Sequence, residues 1–185
     1  QSSKDLFYPQ GNGVDGGKKI QVKDSSEDMN HYRNMMEVWR EKSKYWGGLF
    51  MNGYIDKDGR YLMFSCPTQY NTVVFNLDPS MLWNGVDKIS FVSSCRDKTL
   101  LVNIKDTGHV KVRAIEILPM SNMQRDKECH IAKNLLWNFP NADSVEIGDG
   151  NTNEWTGATL ITGDLTHHTS GLSGRVIVLG NLYHY

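Results

Sequence analysis

Apolar residues follow two different periods along this chain, and the change of period divides it. Met29, Tyr32, Met36, Trp39 and Trp46 recur at helical spacing. Ser25 stands before Asp28 at capping-box spacing, and Gly47-Gly48 supplies a stop. The pattern predicts one long helix over about residues 26 to 45, with its Met and Trp stripe as a packing face. Upstream, Gly11 to Gly17 is rich in turn formers and leads into the short alternating run Lys19 to Lys23, a loop and then a strand.

Beyond the helix the pattern is that of β-strands. Runs at Leu49 to Ile55, Tyr61 to Ser65, Thr72 to Leu77, Lys88 to Ser93, Thr99 to Lys105 and Val110 to Leu118 are rich in β-branched and aromatic residues. Asp58-Gly59 and Asn84-Gly85 are turn dipeptides, and the first suits a tight hairpin. From Gln124 to Trp137 a weaker helical pattern, carried by Ile131 and Leu135, predicts one or two helical turns before Phe139-Pro140.

The last stretch repeats itself. Gly157 to His168 aligns without gaps on Gly174 to Tyr185, at an offset of about 17 residues. Gly157, Gly163, Leu165 and His167 recur as Gly174, Gly180, Leu182 and His184, and Leu160, Ile161 and Asp164 are matched by Ile177, Val178 and Asn181. An offset this short suits one coil of a β-helix, in which equivalent residues stack about 4.8 Å apart. Glycines then mark corners, Leu160, Leu165, Ile177 and Leu182 point inward, and His167 over His184 and Asp164 over Asn181 form short ladders. The expected fold is mainly β: a β-solenoid with one long α-helix packed along its side.

Composition narrows the partners. The 185 residues fit one domain over 1–185, with enough interior for a continuous core. With 20 Lys+Arg against 21 Asp+Glu, the net charge of -1 supplies no field for a nucleic-acid backbone or an anionic membrane. No apolar run approaches the roughly 20 residues that span a bilayer. Three cysteines allow one bridge. Cys66 and Cys95 each follow an apolar run, so neighbouring strands bring their sulfurs within reach of a disulfide; the alternative is that all three are small buried hydrophobes. Asn-x-Ser/Thr acceptors are absent.

Little in the chain is arranged for catalysis. Cys129 and His130 are adjacent, and no Cys-x-x-Cys or His-x-x-x-His spacing occurs, so no metal is expected. Asp149 to Asn153 begins like a calcium loop, but Glu154 stands where glycine is needed and Leu160 where the bidentate Glu belongs. No nucleophile elbow or phosphate loop appears, and no catalytic residue or cofactor is expected. The residue types that do point to binding are aromatic. Trp155, His168, Tyr183, His184 and Tyr185, with His167, supply flat faces and hydrogen-bonding rims of the kind that hold a pyranose. The plain structural alternative is that Trp155 packs under a corner while the terminal aromatics cap the last coil.

Leu136-Trp-Asn-Phe-Pro-Asn-Ala142, Trp155-Thr-Gly-Ala-Thr-Leu160, Gly171-Leu-Ser-Gly-Arg-Val-Ile177 and Gly180-Asn-Leu182 resemble the C-terminal signature of the choice-of-anchor A domain, an adhesive domain of secreted surface proteins. Asn71-Thr-Val-Val-Phe-Asn76 and Leu100-Leu-Val-Asn-Ile104 resemble that family's two earlier strand motifs. The likeness covers residues 26 to 182 and is strongest over 71 to 182. It implies an extracellular β-helical module, secreted or held at a cell surface or wall, that binds a matrix or polysaccharide in a lectin-like manner and carries no catalytic residues. The alternatives are an inert structural spacer and, behind it, a polysaccharide-acting enzyme, for which the chain lacks clustered acids. Ice binding lacks the regular threonine ladder it requires.

Overall fold

In the computed structural model, residues 5–6, 20–21, 26–83, 85–118, 128–150 and 153–185 are described. The Gly11 to Gly17 loop, Ser25 of the capping box, Asn84 and the middle of the Asp149 to Asn153 loop lie outside them. The chain divides into two compact units, Gln1–Val38 and Trp39–Tyr185. The first contains the antiparallel pair β1 (Asp5–Leu6) and β2 (Ile20–Gln21) and the start of helix α1 (Ser26–Gly47). The stripe expected to be a packing face along the whole helix is one only near its end. Met29 and Tyr32 are exposed, Met36, Trp39 and Trp46 are half-buried, and Ser43 is fully buried.

The second unit is mainly β. Its strands are β3 (Tyr54–Asp58), β4 (Tyr61–Ser65), β5 (Thr72–Leu77), β6 (Lys88–Phe91), β7 (Thr99–Ile104), β8 (Gly108–Val112), β9 (Glu116–Leu118), β10 (Leu135–Phe139), β11 (Ala142–Ile147), β12 (Trp155–Thr156), β13 (Ala158–Ile161), β14 (Asp164–His167), β15 (Leu172–Ser173), β16 (Val176–Val178) and β17 (Leu182–His184). A short helix α2 (Glu128–Asn134) lies between β9 and β10. Five strands form a parallel sheet in the order β16-β13-β10-β7-β5, and four form another in the order β17-β14-β11-β8. A third sheet runs β3-β4-β6-β9, antiparallel only at the β3–β4 hairpin, whose turn is Gly59-Arg60, one residue on from the Asp58-Gly59 dipeptide, and β12 pairs in parallel with β15. Successive passes of the chain thus deposit β6, β7 and β8, then β9, β10 and β11, then β12, β13 and β14, then β15, β16 and β17.

The last two passes lie in the register that the sequence repeat requires. Leu160 pairs with Ile177, Leu165 with Leu182 and His167 with His184. At the corners a side chain has no room. A Cβ on Gly163 would overlap the Asp143 carbonyl, and one on Gly180 would overlap the Asp164 carboxylate and the Gly163 backbone. These close approaches let consecutive corners sit directly on one another.

The bounds of three expected elements are corrected. The run Leu49 to Ile55 becomes strand only from Tyr54, because Leu49 to Gly53 lies along the edge of β5, where Asn52 N and Gly53 N both donate to Val74 O at 3.1 Å. The run Val110 to Leu118 turns a corner and splits into β8 and β9, which belong to different sheets. The helical pattern that reaches Trp137 ends at Asn134, because Leu135–Phe139 is the central strand of the five-stranded sheet. Pairing on both sides outweighs a weak helical propensity there.

Inward positions of the sheets build one core, including Leu62, Phe64, Phe75, Phe91, Val102, Trp137, Phe139 and Ile161. Phe64 stacks on Phe91 at 4.8 Å and meets Phe75 edge-on at 4.9 Å. Cys66 and Cys95 form a disulfide across a sequence separation of 29, which by loop closure alone contributes roughly 3–4 kcal/mol.

The outward side of the five-stranded sheet holds the end of α1 through a column of amides. Asn76, Asn103 and Asn138 occupy paired positions on β5, β7 and β10. Asn138 Nδ2 donates to Asn103 Oδ1 at 2.9 Å, and Asn103 Nδ2 donates to Asn76 Oδ1 at 3.1 Å. The remaining amide hydrogens reach carbonyls in the last two turns of α1: Asn138 Nδ2 donates to Ser43 O at 2.9 Å, and Asn103 Nδ2 donates at 2.8 Å to Trp46 O, one of the four carbonyls that the helix end leaves without an intrahelical partner. Lys105 Nζ donates to Gly47 O, a cation at the negative end of the helix dipole. Ser43 Oγ closes the network on Asn138 Oδ1 at 2.5 Å. On β13 and β16 the same column continues as Leu160 and Ile177, so these two point outward and not into the coil as the repeat suggested; alternation gives the core side to Ile161, Val176 and Val178 instead.

Asn103 and Asn138 are both fully buried, so removing one amide strands several partners at once. Asn138→Ala is expected to cost about 3 kcal/mol, and Asn76→Ala, at the half-buried end of the column, about 1 kcal/mol. Urea denaturation with a common slope measures both; equal small losses would contradict the network.

Candidate functional site

Alternation along the four-stranded parallel sheet separates a core side from an outward face. Val110, Val112, Val145, Ile147, Leu165 and His167 point inward and are buried. Between them His109 and Lys111 on β8, Ser144 and Glu146 on β11, Asp164 and Thr166 on β14, and Tyr183 on β17 point outward. Pairing places His109 beside Ser144 and then Asp164. It also places Lys111, Glu146, Thr166 and Tyr183 in one row.

The face has two halves. Across β8 and β11 it is zipped by charge: His109 Nδ1 lies 2.8 Å from Ser144 Oγ, Lys111 Nζ lies 2.7 Å from Glu146 Oε1, and Arg113 Nε lies 2.9 Å from Asp149 Oδ2. Lys111 also sits over the Trp83 ring, 4.7 Å from its centroid. The hydrogen bond from Lys111, aided by the nearby charges of Lys111, His168 and His109, holds the Glu146 carboxyl below the usual carboxylate range against partial desolvation.

Across β14 and β17 the face is polar and aromatic. His168 stacks on Tyr185 at 5.2 Å with 23° between the rings, Tyr183 is 45% exposed and Tyr185 76% exposed. Asp164 Oδ1 accepts from Asn181 N at 2.7 Å and from Asn181 Nδ2 at 3.2 Å.

The residues singled out in the sequence do not all reach this face. His168, Tyr183 and Tyr185 do. Trp155 does not: it is 2% exposed, its Nε1 donates to Thr159 Oγ1 at 2.9 Å, and its ring lies 4.8 Å from that of Trp137. An indole enclosed in this way has no face to offer a ligand, so a binding role for Trp155 is withdrawn. His167 is withdrawn too, because its inward position leaves it 8% exposed. It stacks on the exposed ring of His184 at 4.3 Å, and its buried Nδ1 has no hydrogen-bond partner.

His109, Lys111, Ser144, Glu146 and Thr166 went unremarked at the level of sequence. The available signal was alternation, His-Val-Lys-Val-Arg at 109–113 and Ser-Val-Glu-Ile at 144–147, which marks two strands each with a polar side. Among the described residues, no group of three or more His, Cys, Asp or Glu is placed to hold a metal ion.

A family model described as a putative ice-binding-like adhesive domain matches residues 3–179. No curated protein and no solved structure matches the chain.

Burial, and then the charges of His184 and His168, push the His167 imidazole below its ordinary value. The unfolded chain therefore binds more protons than the folded one as pH falls below about 6.5. The stability attached to a neutral His167 is fully present above that value and declines towards the lowered folded value. His167→Phe keeps a ring under His184 and removes the proton site. Melting temperatures at about pH 7.5 and about pH 5 are expected to differ less in this variant than in the parent; an identical acid loss in both would refute the assignment.

Proposed function

The chain belongs to the family of the putative ice-binding-like adhesive domain, whose model spans nearly all of it, and from that membership we propose an extracellular module that attaches to polysaccharide through the outward face of β8, β11, β14 and β17. The observation that carries the reading is the exposed pair Tyr183 and Tyr185. Tyr183 lies on the last strand and Tyr185 one residue past its end, alternate positions about 7 Å apart along an extended chain. Sugars present an apolar C–H face to such rings and hydroxyl rims to flanking polar groups. Thr166, Asp164 and Asn181 lie alongside as those groups.

The same reading takes the successive passes as turns of a β-solenoid that holds the end of α1 on its outward side. The parallel register of β10, β13 and β16, and of β11, β14 and β17, supports it. The narrower kinship with the choice-of-anchor A domain belongs to this proposal, carried by the motifs at Leu136 to Ala142 and Gly171 to Ile177. An oxidising, extracellular setting suits the Cys66–Cys95 disulfide. Among the described residues no helix is long and apolar enough to cross a membrane. Binding is favoured over turnover because the carboxylates of this face are engaged, Glu146 by Lys111 and Asp164 by Asn181.

Retention of the purified chain on insoluble cellulose, chitin and collagen tests the proposal, with cellulose or chitin expected to hold it. At about 1 kcal/mol for each aromatic face, the double variant Tyr183→Ala, Tyr185→Ala is expected to bind roughly thirty-fold more weakly without loss of fold. No retention of the parent on either polysaccharide would sink the reading. Undiminished retention of the double variant would move the site elsewhere.

A further inference from the structure

One inward row of the four-stranded sheet changes its chemistry from strand to strand. Val112, Ile147, His167 and His184 stand opposite one another across β8, β11, β14 and β17. Val112 and Ile147 are fully buried, and the seam they form has nothing to titrate. At the β14–β17 seam the row becomes two imidazoles, stacked at 4.3 Å with 26° between the rings. The inner ring, His167, is buried, and its Nδ1 has no hydrogen-bond partner. A second ring contact, His168 on Tyr185, crosses the same seam.

Nothing around the pair neutralises a proton on it. On β14, Asp164 accepts from Asn181, and His168 is a further imidazole. On β11, Glu146 points to the outward side and is held by Lys111 at 2.7 Å. Just beyond β11, Asp149 is paired with Arg113. On the far side of the seam, His184 stands between Tyr183 and Tyr185 in the chain. Among the described residues, the histidine within ion-pair distance of a carboxylate is His109, 3.6 Å from Glu146, and neither His167 nor His184 has such a partner. The charges that reach His167 are those of His184 and His168, and with burial they all oppose its protonation.

We propose that this imidazole pair opens the β14–β17 seam in mild acid, carrying Tyr183 and Tyr185 away from the outward face and releasing the sugar they hold. The release rests on the reading of those tyrosines as sugar contacts; the opening does not. A proton on His167 sets an unpaired cation against the core, and protons on both rings set two like charges face to face. Opening returns both rings to water, so the open state binds more protons and gains population as pH falls below about 6.5. Tyr183 and Tyr185 flank His184, so they cannot stay beside Thr166 and His168 once the strand moves.

Amide hydrogen exchange on the full chain, with no ligand, reads the seam itself. Leu165 N donates across it to Asn181 O at 2.8 Å and Tyr185 N to His167 O at 3.3 Å, whereas Gly148 N joins the end of β11 to Val112 O at 2.8 Å. Protection factors at Leu165 and Tyr185 are expected to fall about tenfold between about pH 7.5 and about pH 5, with Gly148 unchanged. Retention on cellulose or chitin is expected to weaken roughly thirty-fold over the same range, as when both tyrosines are lost, and to return at neutral pH. His167→Phe and, from the exposed side, His184→Phe each keep a ring in the stack and are expected to hold protection and retention in acid. Unchanged protection at Leu165 in the parent would overturn the opening. An equal acid loss in both folded variants would overturn the role of the pair. Failure of the parent to be retained at about pH 7.5 would overturn the release and the sugar reading with it, while the exchange result decides the opening separately.

Discussion

A buried amide tolerates no slip of register, and this molecule has a hydrogen-bonded column of three, two of them fully buried. Asn76, Asn103 and Asn138 donate to one another and to the carbonyls around the end of α1. Moving any one strand by a single residue would turn its amide to the core and bring an apolar side chain out in its place. The column therefore fixes β5, β7 and β10 relative to each other and to the helix end. Where the amides give way to Leu160 and Ile177, register is held by the corners instead, through glycines that admit the neighbouring backbone.

Register in the five-stranded sheet decides what the adjoining sheet displays. β8, β11, β14 and β17 each follow their partners in the first sheet after a short corner, so their outward residues inherit the same alignment. This brings Lys111 to Glu146 and Thr166 to Tyr183. No local preference of those residues would assemble them, because they come from passes separated by excursions of unequal length.

The outward face is consequently divided in its chemistry. On β8 and β11 the charges are spent on each other, and the row of His109, Lys111 and Arg113 against Ser144, Glu146 and Asp149 reinforces strand pairing more than it offers contacts to a ligand. On β14 and β17 the partners are a stacked ring pair, His168 on Tyr185, and the Asp164–Asn181 hydrogen bonds, and Tyr183 and Tyr185 remain exposed. An adhesive surface built on parallel strands gains rigidity from the ladder beneath it, so its contacts are presented with little further loss of side-chain freedom.

Local periodicity was enough to find α1, the hairpin that turns at Gly59, most of the strands of the first passes and the seventeen-residue spacing of the last two. Each of these depends on residues close in sequence or on exact recurrence. Tertiary structure alone decided the rest. Leu135–Phe139 carries a helical pattern and became a central strand because neighbours on both sides supply hydrogen bonds and cover. Trp155 and His167 look like binding residues in a linear reading and are buried, since inward and outward are properties of a paired strand and not of a residue type. The asparagines appear in the sequence as Phe-Asn-Leu, Val-Asn-Ile and Trp-Asn-Phe, a polar residue between apolar ones on three strands. Only the stacking of those strands turns the recurrence into a column.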